Sequence, residues 1–127
     1  MTRSLGAQLT DSLVDRFSQR DVRSRLGIGL PLVTVDAEGR PHPMLLSYLE
    51  VKAYDTRTVG IVLLAKSRSA RNLAERGTAT LLAIEPDTTV YVKLRAVDGP
   101  LPVEGGGELG LGYFLMEVDD VPEDATG

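Results

Sequence analysis

The hydrophobic positions of the chain follow two different periods. In "LTDSLVDRFSQR" (9–20), Leu9, Leu13 and Phe17 recur every fourth residue with Val14 beside them, the spacing of one helix face. Thr10 or Asp11 can cap the start and Arg20 falls in the last turn, so a short amphipathic helix is expected. The period then drops to two. "GLPLVTVD" (29–36) reads as a strand closed by the turn residues "DAEGR". Residues 41–54 alternate as one long strand, with Leu45, Ser47, Leu49, Val51 and Ala53 on one face. Met44, Leu46, Tyr48, Glu50, Lys52 and Tyr54 form the other, which turns polar halfway along, where the strand should leave the core. After "DTRT", the apolar run "VGIVLLA" (59–65) has the composition of a strand covered on both sides.

Helical spacing returns in "AKSRSARNLAERG" (65–77). Ser67 or Ser69 is a suitable N-cap, Ala70, Leu73 and Ala74 make an apolar stripe, and Gly77 suits the C′ position. "TATLLAI" (78–84), the turn "EPDT" and "TVYVKLRAV" (89–97) follow. In the last of these Val90, Val92, Leu94 and Ala96 oppose Thr89, Tyr91, Lys93 and Arg95. Residues 98–112, with "GPLP" and "GGGELGLG", read as a flexible loop, "YFLMEVDDV" (113–121) as a sixth strand, and 119–127 as an acidic tail. No internal repeat and no second domain are evident, so residues 1–127 are expected to form one domain. Six strands on hairpin-length links, with two short helices, predict a mainly β antiparallel barrel whose openings the helices cover. Closure or covering is needed because open strand edges invite aggregation.

Composition narrows the chemistry. Hydrophobic residues at 43% and charged residues at 25% are ordinary for a globular chain. The absence of cysteine excludes disulfides, Cys-ligated zinc, iron–sulfur clusters and a Cys nucleophile. With no signal-type N-terminus and no apolar run near ~20 residues, a soluble cytoplasmic protein without a membrane partner is expected. Fourteen Lys+Arg against 18 Asp+Glu, 5% aromatics and no basic stripe argue against nucleic acid as the main partner. His42, the only histidine, lies between two prolines in "RPHPM" and reads as a surface or partly packed residue. No G-x-S-x-G elbow accompanies it. The carboxylates cluster only in "EVDDVPED" (117–124), which reads as a solvated tail rather than a metal site. "EGGGELGLG" lacks both the dinucleotide and the P-loop pattern and reads as a connector. Any reaction on this chain would therefore fall to a cofactor.

One charge pattern runs against its surroundings. From Thr56 to Ala74 the chain carries Arg57, Lys66, Arg68 and Arg71 and no carboxylate. Three of these cations crowd a helix start, where the free N–H groups already place partial positive charge. A bound phosphate would remove the repulsion. A capped helix with solvated arginines is the other reading of the segment.

The order of elements, with "LVTVDAEGRPHPMLLSY" and then "AKSRSARNLAERGTATLLAI", resembles the pyridoxamine 5′-phosphate oxidase-like, FMN-binding split-barrel superfamily over roughly residues 28–97. The resemblance implies a six-stranded split barrel that binds FMN, forms a homodimer with two flavin sites at the subunit interface, and acts as an oxidoreductase or flavin reductase-like protein on a small-molecule substrate. It places Ser67 and Arg68 at the flavin phosphate. Met44, Leu45, Leu46 and Ser47 fall on the strand along the flavin, Leu63 and Leu64 on the next strand, and Thr89 near the ring. Met44, Leu49 and Ser69 stand where the oxidase has cations, and Lys66 and Arg71 are the nearby substitutes. His42 is a candidate proton donor. The oxidase's C-terminal substrate motif is absent, so oxidation of pyridoxamine phosphate is not expected. Deazaflavin and haem are the other cofactors considered. A non-enzymatic flavin or haem-type binder, or a cofactor-free dimerisation module, is the alternative in function.

Overall fold

The computed structural model describes residues 2–105 and 110–125; residues 106–109 of the expected loop and 126–127 of the expected tail lie outside the described residues. Helix α1 spans Asp11–Arg16, with Thr10 Oγ1 accepting from the Leu13 amide at 3.2 Å. It is shorter than the 9–20 expected, because Gln19 takes a left-handed conformation (φ 72°) and turns the chain. The Gln19 side-chain amide then donates to the Tyr48 and Val51 carbonyls. Leu9, Leu13 and Phe17 are buried as their spacing requires.

The strands are β1 (Thr2–Ser4), β2 (Leu30–Val35), β3 (Pro41–Leu46), β4 (Val51–Ala53), β5 (Thr58–Leu64), β6 (Thr78–Ile84), β7 (Thr88–Pro102), β8 (Leu111–Asp120) and β9 (Pro122–Ala125). They form one antiparallel sheet ordered β3-β2-β6-β7-β8-β5-β4, with β9 beside the start of β7 and β1 outside β9. Alternate residues along much of β2, β5, β6 and β8, and along β7 as far as Ala96, point into one buried cluster. The curled sheet is therefore lined on its inner face by Leu32, Ile61, Leu81, Val92 and Phe114. Helix α2 (Arg68–Arg76) packs on β2, β3, β5, β6 and β7 and adds Ala70 and Leu73 to that cluster. No helix among the described residues is long and apolar enough to cross a membrane.

The described strands number nine, not the six expected, for three local reasons. First, the 41–54 alternation is broken by a single 3-10 turn at Tyr48–Glu50. Ser47 Oγ accepts from the Leu49 amide at 3.3 Å, and Glu50 Oε1 accepts from the Ser47 amide at 2.8 Å. Tyr48 goes inward to stack on Phe17, and the turn resets the parity. Leu46, Val51 and Ala53 are buried, whereas Leu45 and Leu49 are left 70% and 61% exposed. Second, the expected tail is not a free tail. Residues 122–125 form β9, with Tyr91 donating to Asp124 at 2.7 Å and Arg3 pairing with Glu123 at 3.2 Å. Third, β1 forms only as the partner of β9.

The expected loop 98–112 is also mostly strand. β7 continues to Pro102 through register shifts on either side of Asp98, and β8 begins at Leu111. Gly99 makes this possible: its φ is 119°, and a Cβ there would lie 2.5 Å from the Tyr113 carbonyl oxygen. On β5 only one face is fully buried, through Val59, Ile61 and Leu63. On the other face Gly60 lies beneath Tyr54 and Tyr113, whose hydroxyls meet at 2.9 Å, Val62 is half-buried and Leu64 is exposed. Burial, followed by the hydrogen bond with Tyr54, pushes the Tyr113 phenol above its usual pKa.

Candidate functional site

Helix α2 starts where its sequence places it. Ser67 is the N-cap, its Oγ accepting from the Ala70 amide at 3.1 Å, and Gly77 closes the helix at φ 75°. Ser69, the other candidate cap, is buried in the first turn instead. Ala74 is exposed rather than part of the inner stripe, and Asn72 takes the buried place. With Ala70 satisfied by Ser67, the amides of Arg68 and Ser69 have no intrahelical acceptor. Among the described residues, Lys66, Arg68 and Arg71 form no ion pair.

Positions 68, 71, 72, 75 and 76 share one flank of α2. Together with Asp36, Ala37, Glu38, Arg40 and His42 of the β2–β3 hairpin they line a cavity of about 360 Å³. Its polar floor is continuous. Asn72 Nδ2 donates to Thr34 Oγ1 at 3.0 Å, and Arg76 donates to Asn72 Oδ1 at 2.8 Å and to the Val35 carbonyl at 2.7 Å. The carboxylates already have partners: Asp36 and Glu38 pair with Arg40, and Glu75 with Arg76. The backbone amide of Arg40, the largest contribution, holds the Asp36 carboxyl below its usual pKa. Four arginines thus face three carboxylates in this lining, and Arg68 and Arg71 pair with none of them among the described residues. That donor set fits a phosphate group.

Asn72, Arg76 and Arg40 were not among the residues singled out from the sequence. Asn72 was legible as a polar residue at an inward helical position, and Arg76 lies one turn beyond it on the same flank of α2; Arg40 is brought to the cavity by the β2–β3 hairpin.

The remaining candidates lie elsewhere. β3 is the terminal strand of the sheet, and its register with β2 pairs Thr34 with His42, Leu32 with Met44 and Leu30 with Leu46. Extending the Asp36–Arg40 backbone bond along that register turns the backbone groups of 42, 44 and 46 toward β2 and those of 41, 43 and 45 outward. Pro41 and Pro43 thus occupy outward positions where no donor is needed. Leu45 provides the outward N–H of this edge, since the Ser47 amide is taken by Glu50. Leu45, Leu46 and Ser47 line a second cleft of about 380 Å³ with Leu26, Ile28 and Glu50. Leu63 is buried and Leu64 exposed, and both lie beyond the reach of β4, which pairs only with Val59–Ile61. One backbone edge of β5 is therefore open beside the turn into α2. Thr89 pairs with Ile84 and Asp124 at the β6–β7 hairpin and does not line the α2 cavity.

No family model matches the chain, and no curated protein matches its sequence. Solved structures do. A candidate pyridoxamine 5′-phosphate oxidase from Lactobacillus delbrueckii superposes with a TM-score of 0.70 at 18% identity, over 94% of this chain and 98% of that one. The fold is the pyridoxamine 5′-phosphate oxidase-like split barrel. An FMN-binding protein from Syntrophomonas wolfei shares this split barrel at TM-score 0.53 and 18% identity, over 87% of this chain and 86% of that one. So does a haem storage protein from Vibrio cholerae, at TM-score 0.54 and 18% identity, over 87% and 89% of the two chains. At these identities the split barrel is what is shared. The cofactor has to be argued from the residues of this chain.

Proposed function

We propose that this split barrel binds FMN and acts as an oxidoreductase or flavin reductase-like protein on a small molecule. The observation that carries the reading is the pair of guanidiniums without an ion pair among the described residues, Arg68 and Arg71, lining one cavity along the flank of α2, whose first-turn amides lack an intrahelical acceptor. A phosphate there would offset both the helix dipole and the repulsion between the two arginines. The Leu45 N–H and C=O on the β3 edge would hold the polar edge of the ring, and Leu26, Ile28 and Leu45 would cover its apolar face. The chemistry FMN supplies when bound is hydride transfer. The residues named here would bind and orient FMN. The FMN-binding relative in fold supports the same reading. The test is titration of the purified protein with FMN, followed by fluorescence and visible absorbance. Saturable micromolar binding is expected. A Soret band on adding haem, with no flavin binding, would replace the reading with a haem binder, and no binding of either would favour a cofactor-free module.

The same reading includes a homodimer. Leu45, Leu49, Tyr54 and Leu64 are large, apolar and exposed near the open β3 and β5 edges. Covering them with a second copy would remove apolar surface from water at roughly 25 cal/mol per Å². Sedimentation at micromolar concentration is expected to show a dimer, and Leu49→Asp to dissociate it and weaken FMN. A monomer with undiminished FMN binding would refute the interface site.

A further inference from the structure

We propose that His42 is an anion-binding residue of the α2 cavity, taking up a proton as a phosphate monoester enters; the proposal rests on the phosphate reading of that cavity. The imidazole is half-buried on the inward side of β3 and lines the cavity with Arg68 and Arg71. Its backbone carbonyl accepts from Thr34, and its ring has no hydrogen-bond or ion-pair partner among the described residues.

The charged groups that face it come from two elements. The β2–β3 hairpin supplies Asp36, Glu38 and Arg40, and α2 supplies Arg68, Arg71, Glu75 and Arg76. Arg40 is occupied by Asp36 and Glu38, and Arg76 by Glu75, Asn72 and Val35. Across the cavity four arginines face three carboxylates, a net positive charge, and Arg68 and Arg71 are the lining arginines without an ion pair among the described residues. A dianion entering beside an imidazole favours its protonated form. Among the side chains of the lining, carboxylates and guanidiniums as classes titrate far from neutrality, which leaves imidazole as the class that responds between about pH 6 and 8. The ligand's phosphate also loses charge at pH ~6, equally for every variant. Proton uptake on binding therefore makes the His42-dependent part of the affinity, the ratio of wild type to a His42 variant, grow as pH falls from 8 toward 6. His42 thus belongs to the binding machinery, with no role required in chemistry on the ligand.

The chain has a single histidine, so its Hε1 resonance reports on His42 alone. The experiment titrates that resonance against pH in the full chain, with inorganic phosphate, with FMN, or with chloride at matched ionic strength. Phosphate or FMN is expected to raise the midpoint by about one unit, a tenfold change in proton affinity. Arg71→Ala should diminish the rise. Comparing wild type with His42→Gln adds a second readout: the ratio of their FMN affinities should grow up to about tenfold from pH 8 to pH 6. Riboflavin, which lacks the phosphate, should show no such trend. A midpoint that stays in place with both phosphate and FMN overturns the assignment even if FMN binds well, and the flavin reading then survives alone. If FMN fails to bind while inorganic phosphate still raises the midpoint, the flavin reading falls and the assignment of His42 stands.

Discussion

Replacing Arg68 by alanine is expected to weaken FMN by roughly ten- to a hundredfold while leaving riboflavin nearly unchanged. A charge-assisted contact of this kind is typically worth ~1.5–3 kcal/mol, and only FMN carries the phosphate that makes it. The structure strengthens the argument in two ways. Arg68 is the first residue of α2, beside amides that lack an intrahelical acceptor, and it has no carboxylate partner among the described residues. It also shares the cavity with Arg71, so a single anion can compensate both. Arg71→Ala should act in the same direction and less strongly, because Arg71 sits a turn further from the free amides. If the two arginines were only solvated, their removal would change neither ligand and would relieve repulsion with the helix dipole. Paired titrations of FMN and riboflavin on wild type and both variants decide the matter. Equal losses for the two ligands, or none, would place the phosphate elsewhere.

Gly99→Ala should be the most damaging small substitution, costing about 2–6 kcal/mol in chemical denaturation. Two causes add. A residue with a side chain is strained at φ 119°, worth ~1–3 kcal/mol, and crowding in a packed region costs a similar amount. The new Cβ would meet backbone, the Tyr113 oxygen at 2.5 Å and the Phe114 Cα at 3.0 Å, so no rotamer change can relieve it. Gly77→Ala is the control. Its φ is 75°, but nothing lies within 4 Å of the added Cβ, so a loss of only about 1 kcal/mol is expected. Similar losses for both would show that β7 can shift past Tyr113 and that the close approach does not matter.

The proposed phosphate site and the stability of the fold thus depend on segments whose legibility in the sequence differs. Helix α2 was readable almost in full, since its cap Ser67, its inward Ala70 and Leu73 and its C′ Gly77 are all local signals. The alternation of β7 through Val90, Val92 and Leu94 was equally plain. The turn at 48–50 was readable in principle, because Ser47-x-x-Glu50 is a capping box, but it lies inside an alternation that also fits a strand. β9 was not readable. Its "PEDA" has no strand period, and it is held by Arg3, Thr88 and Tyr91, far away along the chain.

By itself, then, the sequence determined the elements whose hydrophobic period and caps are contained within about ten residues, and through their order the split barrel. It also determined that cations would gather at the start of α2, because that depends only on which residues follow Ala65. Tertiary structure alone decided which of those cations share a cavity, and with what. The β2–β3 hairpin brings Arg40 and His42 into one lining with Arg68 and Arg71, and the ion pairs of Arg40 and Arg76 engage the nearby carboxylates, leaving the lining with four arginines to three carboxylates. A local pattern specifies the direction of a side chain from its own element, whereas charge balance in a cavity is a sum over residues that meet only when distant elements pack.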